Sequence, residues 1–166
     1  MASPRLLKGR HSSVGAFYSI TTVTHGRRRL FEDPAAVSLV ATEIAATDRH
    51  GLSSTLAWVL MPDHLHWLCS LESGSLGALV QRVKMRSAQA INRTRHRHGA
   101  VWQAGFHDHH VRDEISLRNV ARYLLENPIR AGLVSAIEEY PHAWCAWGEG
   151  KAIRGELAPL RASERG

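Results

Sequence analysis

Met61-Pro62-Asp63-His64-Leu65-His66-Trp67-Leu68 is the stretch on which the fold of this chain turns. Successive side chains of a β-strand point to opposite faces, so His64 and His66 share one face and Leu65 takes the other. Two imidazoles side by side on a rigid strand suit a metal ion. The same spacing also suits two surface histidines on a half-buried strand. Pro62 cannot donate to a central ladder, which makes Met61-Pro62-Asp63 a tight connection. Ser54–Leu60 before it and His64–Leu71 after it then form a hairpin.

Outward from that hairpin, the chain alternates between the two periodicities. Ala16–Thr24 is rich in β-branched and aromatic residues and reads as a strand. A loop with Gly26, Arg27, Arg28 and Arg29 follows. Val37, Val40, Ala41, Ile44 and Ala45 recur at helical spacing until Gly51. After the hairpin, Leu76, Leu79, Val80, Val83, Ala90 and Ile91 mark one side of a long helix. Its other side carries Arg82, Lys84 and Arg86, and it frays into Arg93, Arg95 and Arg97 before Gly99. Val101–Val111 reads as a fourth strand, with a bulge or close backbone approach at Gly105. A last helix, capped by Ser116, lines up Leu117, Val120, Ala121, Leu124 and Leu125. Tyr140–Trp147 is an aromatic closing segment that packs back on the sheet. The order strand, helix, strand, strand, helix, strand, helix predicts an α+β fold: a ferredoxin-like split βαβ sandwich with an additional C-terminal helix.

Bulk properties narrow the function. A chain of 166 residues with 44% hydrophobic content is expected to be one domain with its own core. The expected layout is a flexible basic arm over 1–14, a folded domain over 15–147 and a loose tail over 148–166. There is no long apolar run for a membrane span and no secretory pattern, so the cytoplasm is the expected compartment. Two cysteines, Cys69 and Cys145, support neither a disulfide framework nor a cysteine zinc site. Lys and Arg outnumber Asp and Glu by 21 to 15, and no acidic residue lies between Ser73 and His107. A polyanion is the expected partner, with Arg82, Lys84, Arg86, Arg93, Arg95, Arg97 and the Arg27-Arg28-Arg29 loop as candidate phosphate contacts. A solvated basic helix is the plainer reading of the same charges. Trp67 and Trp102 suit either base stacking or the core.

On the last helix, Tyr123 and Asn127 stand four residues apart and hence on one face, one turn from each other. Tyr123 offers a nucleophilic hydroxyl. Asn127 suits a metal-ligating amide oxygen or a helix end before Pro128. Arg130, three residues on, reads as a surface charge.

Together, Met61-Pro62-Asp63-His64-Leu65-His66, the segment Val101–Asp108 and Tyr123–Val134 resemble the HUH single-tyrosine transposases, and among them the REP-associated tyrosine transposases. The resemblance runs from about Tyr18 to Trp147. It implies that His64, His66 and Asn127 hold a divalent cation, Mg²⁺ or Mn²⁺, and that Tyr123 is the nucleophile. It further implies metal-dependent nicking and transfer of single-stranded DNA, beside a hairpin, through a 5′-phosphotyrosine link. Relatives work as monomers or as homodimers that exchange the tyrosine helix. Asp63 stands where relatives often have asparagine, and here suits either the surroundings of the metal or a turn cap. The alternative class is a non-catalytic ferredoxin-like nucleic-acid-binding module.

Overall fold

The computed structural model describes residues 11–147. The tail expected over 148–166 and most of the arm expected over 1–14 lie outside the described residues. Within the arm, the Ser12 hydroxyl accepts a hydrogen bond from the Leu76 amide, and the Ser13 amide donates to the Tyr18 hydroxyl.

Five strands form one antiparallel-paired sheet in the order β4-β1-β3-β2-β5. They are β1 (Phe17–Val23), β2 (Ser53–Met61), β3 (His64–Leu71), β4 (His107–Val111) and β5 (Ala143–Cys145). The helices are α1 (Pro34–Arg49), α2 (Leu76–Thr94), α3 (Glu114–Leu125) and the short α4 (Asn127–Arg130). The first four strands reproduce the interlocked split βαβ order expected from the sequence. β1 and β2 are joined by α1 with β3 between them, and β3 and β4 are joined by α2 with β1 between them.

Alternation along each strand divides the core into two layers. Ile20, Leu65, Trp67, Cys69 and Leu71 face α1 and α2, against Val40, Ile44, Leu79 and Val83. Ala57, Val59, Met61 and Leu68 face α3, against Leu117, Ala121, Leu124 and Leu125. The sheet is thus covered on both sides, the three-layer solution for elements that are apolar on opposite faces. Leu65 is 1% exposed, on the face away from both histidines. Trp67 is buried beside it and donates its indole N–H to Thr55. Thr55 in turn donates from hydroxyl and amide to the Asp48 carboxylate. The back of the hairpin is thereby anchored by both apolar packing and a polar network.

Helix starts follow capping chemistry. Asp33 caps α1 before Pro34, and Ser75 caps α2. The last long helix begins three residues earlier than the sequence suggests. Asp113 is its cap, accepting from both the amide and the hydroxyl of Ser116. The carboxylate at 113 reaches the free amides of the first turn, which leaves Ser116 inside the helix.

The segment expected as one strand over 101–111 is only half strand. Val101–Phe106 is irregular, with a single bridge between Trp102 and Thr24, and pairing begins at His107. The cause is Lys84. Its ammonium is buried against this segment and donates to the carbonyls of Gln103 (2.6 Å) and Gly105 (2.7 Å). Carbonyls turned toward a helix cannot serve a sheet ladder. The closing segment packs on the sheet as expected, and three of its residues become the edge strand β5 on β2.

A candidate histidine–tyrosine site

β3 brings the two histidines together at the end of the sheet. Their Nε2 atoms lie 3.0 Å apart and the rings meet edge to face. Each ring is held from behind through its other nitrogen. Nδ1 of His64 lies 2.6 Å from Oδ1 of Asp63, and Nδ1 of His66 lies 3.0 Å from the hydroxyl of Thr21. An ionised carboxylate only accepts, so His64 donates from Nδ1, and in the neutral imidazole that leaves Nε2 with its lone pair. Two lone pairs do not face each other at 3.0 Å without a proton or a cation between them. Two ligands about 2.1 Å from one divalent cation and at right angles stand about 3 Å apart. The pair therefore fits a cation, with Asp63 and Thr21 in the orienting positions that metal-bound histidines require.

The geometry has local causes. Thr21 is the cross-strand partner of His66, and Val23 that of His64, so β1 delivers the threonine hydroxyl directly beside the ring. Asp63 sits in the hairpin turn, and its carbonyl accepts from the amide and the hydroxyl of Thr24. Its second carboxylate oxygen pairs with Arg27 at 3.3 Å. Burial pushes the Asp63 carboxyl up, but the His64 hydrogen bond and charge, with Arg27 added, outweigh it and hold it below the usual range. His66 is half-buried. Burial, then the charge of His64 and then that of Arg130, lower its pKa to about 4, so it is a neutral imidazole at neutral pH. Metal ligation requires that form.

Tyr123 and Asn127 arrive from the helical layer over the same face. Val59 and Met61 are the cross-strand partners of His66 and His64, and both belong to one buried cluster with Leu124 and Leu125 of α3. The helix does not run through both site residues as the sequence suggests. It ends at Leu125, and Asn127 opens α4 across Glu126. Tyr123 is 60% exposed. One terminal atom of the Asn127 amide, Nδ2, is buried with no hydrogen-bond partner. Turning that amide about its last bond would place the oxygen there instead, so the position suits an oxygen ligand.

Arg130 is tied to both halves. Its guanidinium carbon sits 3.8 Å from the centre of the Tyr123 ring, and it donates to the Tyr123 carbonyl. Its charge is also felt at His66, after that of His64. In the sequence Arg130 reads as a surface charge, and Thr21 does not stand out. Nothing distinguishes Thr21 from its strand neighbours until the register is known. For Arg130, the signal was its position seven residues after the tyrosine.

The candidate DNA-contacting side chains are placed less uniformly. Lys84 is buried in the fold, a correction to its assignment to the solvent face of α2. Arg86 pairs with Glu43, Arg95 with Asp33 and Arg29 with Glu32. Arg82 is half-buried, and its Nε has no partner. Arg93 is exposed. Arg28 and Arg97, with His98, line a hollow of about 370 Å³. Trp67 and Trp102 are both buried, their indoles bonded to Thr55 and Ser87, so both belong to the core. His107 and His109 extend from β4 on the same sheet face as His66, because His107 pairs with Thr21 in the register.

Comparison with known proteins places this architecture. Residues 12–127 match the family described as IS200-like transposases. A Haemophilus influenzae protein named for the REP-associated tyrosine transposases is 24% identical over 140 residues, covering 78% of this chain and 79% of its own length. The Escherichia coli K12 REP-associated tyrosine transposase is 25% identical over 87 residues, about half of each chain. Among solved structures, a REP-associated tyrosine transposase bound to a REP hairpin superposes with a TM-score of 0.69 at 21% identity, covering 81% of this chain and 79% of that one. No helix among the described residues is long and apolar enough to cross a membrane.

Proposed function

The chain belongs to the IS200-like transposase family, and from that membership we propose that it nicks single-stranded DNA beside a hairpin and transfers the cut strand through a tyrosine–DNA link. The observation that carries the reading is the convergence of His64 and His66 Nε2 at 3.0 Å, each ring fixed from behind, on the face covered by the helix of Tyr123. The related structure with a bound REP hairpin supports hairpin-bearing DNA as the substrate.

His64 and His66 would hold a divalent cation, with Asn127 as the third protein ligand. Phosphate oxygens favour a hard ion such as Mg²⁺, and two imidazoles favour Mn²⁺. When bound, that ion supplies positive charge to polarise the scissile phosphate. Asp63 and Thr21 keep both imidazoles in one orientation, so no ring has to reorganise as the substrate arrives. Tyr123 Oη attacks phosphorus as its proton leaves. The Oη–P bond forms while the P–O3′ bond breaks, and the departing oxygen takes up a proton to become a 3′-hydroxyl. One phosphoester replaces another, so a second 3′-hydroxyl can reverse the step without an added energy source. Arg93 and Arg97 are the side chains best placed to meet the DNA backbone, since most of the other candidates already have acidic partners.

The test is covalent capture. With Mn²⁺ and a hairpin-bearing single strand, the wild-type protein forms an adduct stable to denaturation, with the DNA mapped to Tyr123 by mass spectrometry. Chelator abolishes it. An adduct of undiminished yield in Tyr123→Phe overturns the assignment. Tight binding with no adduct, insensitive to chelator and to His64→Ala, establishes a binding module instead.

A further inference from the structure

Arg130 makes contacts that a surface arginine does not need. It donates to the carbonyl of Tyr123, lies face-on over the phenol ring at 3.8 Å and approaches Glu126 at 3.7 Å. Capping explains the first of these. The last four carbonyls of a helix lack intrahelical partners, and a cation there is favourable. The stack on the ring is extra. By comparison, among the described residues Arg118 pairs only with Glu114, one turn back on its own helix. Arg130 stands on α4 and holds a residue of α3, across the break at Glu126. It also keeps donors free, because a guanidinium has five N–H groups in a rigid fork.

We propose that Arg130 is the positioning residue of the nucleophile: it fixes the phenol of Tyr123 by stacking and backbone capture, and offers its remaining N–H donors to the phosphate that Tyr123 attacks. The inference rests on the tyrosine-transfer reading above and leaves its bond changes as written there. An exposed tyrosine side chain samples several rotamers, and attack on phosphorus requires one. A planar cation against the ring restricts that choice at a cost in water of only side-chain entropy. The same cation, held at the nucleophile, is available to the phosphate that Tyr123 attacks. Lysine has the charge but neither the fork nor the flat face.

The experiment compares the rate of adduct formation with hairpin-DNA affinity in wild type, Arg130→Ala, Arg130→Gln, Arg130→Lys and Tyr123→Phe. Circular dichroism establishes that each variant is folded. Arg130→Ala and Arg130→Gln should slow adduct formation by about 10²–10³-fold, the usual effect of losing one preorganised donor, while DNA affinity stays within about threefold. Arg130→Lys should recover part of the rate. Guanidinium added at millimolar concentration should partly rescue Arg130→Ala and leave Tyr123→Phe inactive. Rescue separates positioning from a merely structural role, which a free cation cannot restore. A wild-type rate in Arg130→Ala, or a fall in rate matched by an equal fall in affinity, overturns the proposal while the tyrosine chemistry stands. If wild type forms no adduct, both readings fall together.

Discussion

His64 Nδ1 lies 2.6 Å from Asp63 Oδ1, so the residue that makes the hairpin turn also orients the first histidine of the strand that follows it. The turn and the site are one piece of structure. Asp63 is tied to Thr24 through its carbonyl and to Arg27 through its carboxylate, and its loss would be felt at the imidazole first.

Asp63→Ala should weaken Mn²⁺ binding by about 10–100-fold, the usual cost of removing an orienting partner of a metal-bound histidine. Thr21→Val should act in the same direction through His66. Titration calorimetry of the DNA-free protein measures both. Affinity unchanged in Asp63→Ala would show that His64 needs no support from behind.

The buried neutral His66 makes the metal-free protein acid-sensitive. Its pKa is about 4 in the fold and about 6.5 in an unfolded chain. Between those values the unfolded chain takes up a proton that the fold refuses. Stability is therefore full above about pH 6.5 and falls as pH drops toward 4, by at most about 3 kcal/mol. Urea unfolding in chelator at pH 7 and pH 4.5 measures this slope. Replacing His66 by glutamine should flatten it, and an identical slope in the variant would assign the effect elsewhere.

Lys84 and Arg97 should separate folding from DNA contact. Lys84→Met leaves two inward carbonyls without their donor and should cost about 2 kcal/mol of stability, with the salt dependence of DNA binding unaltered. Arg97→Ala should leave stability within about 0.5 kcal/mol and reduce the salt slope by about one. The reverse pattern would return Lys84 to the DNA surface.

Tyr140 donates its hydroxyl to the Leu60 carbonyl at 2.6 Å and helps to seat the closing segment on β2. Burial is the main cause that raises its pKa to about 12. Tyr140→Phe should cost about 1 kcal/mol, read from thermal unfolding at pH 7. In wild type this contribution fades as pH rises from about 10 toward 12, because the unfolded chain ionises first. A variant as stable as wild type at pH 7 would show that the bond is not a net contributor.

Much of this architecture was legible because it rests on local periodicity. The alternation through His64, Leu65 and His66 located the strand, its buried face and its outward pair at once. The helical spacing in α1, α2 and α3 gave the covering layers, and the element order gave the sheet. What escaped depends on contacts far apart in sequence. Nothing local in α2 shows that Lys84 turns inward, because the carbonyls it meets lie some twenty residues later. Thr21 becomes part of the site only through its register with His66. The break between Tyr123 and Asn127 was masked by a helical pattern that continues across Glu126. Arg130 looks like solvent-facing charge because the only partner its local spacing offers is Glu126, one turn back, and its aromatic partner appears only in the fold.

The two-residue hairpin turn at Pro62–Asp63 has a consequence for how this protein can change over time. Strand faces alternate with a period of two. One residue gained or lost in the turn, without a compensating change elsewhere, would swing His64 and His66 into the greasy layer beneath α1 and α2 and push Leu65 and Trp67 out to water. Loops elsewhere tolerate insertion and deletion. This one tolerates a single extra residue only where a bulge absorbs it, so lineages of the protein can diversify around the hairpin more freely than within its turn.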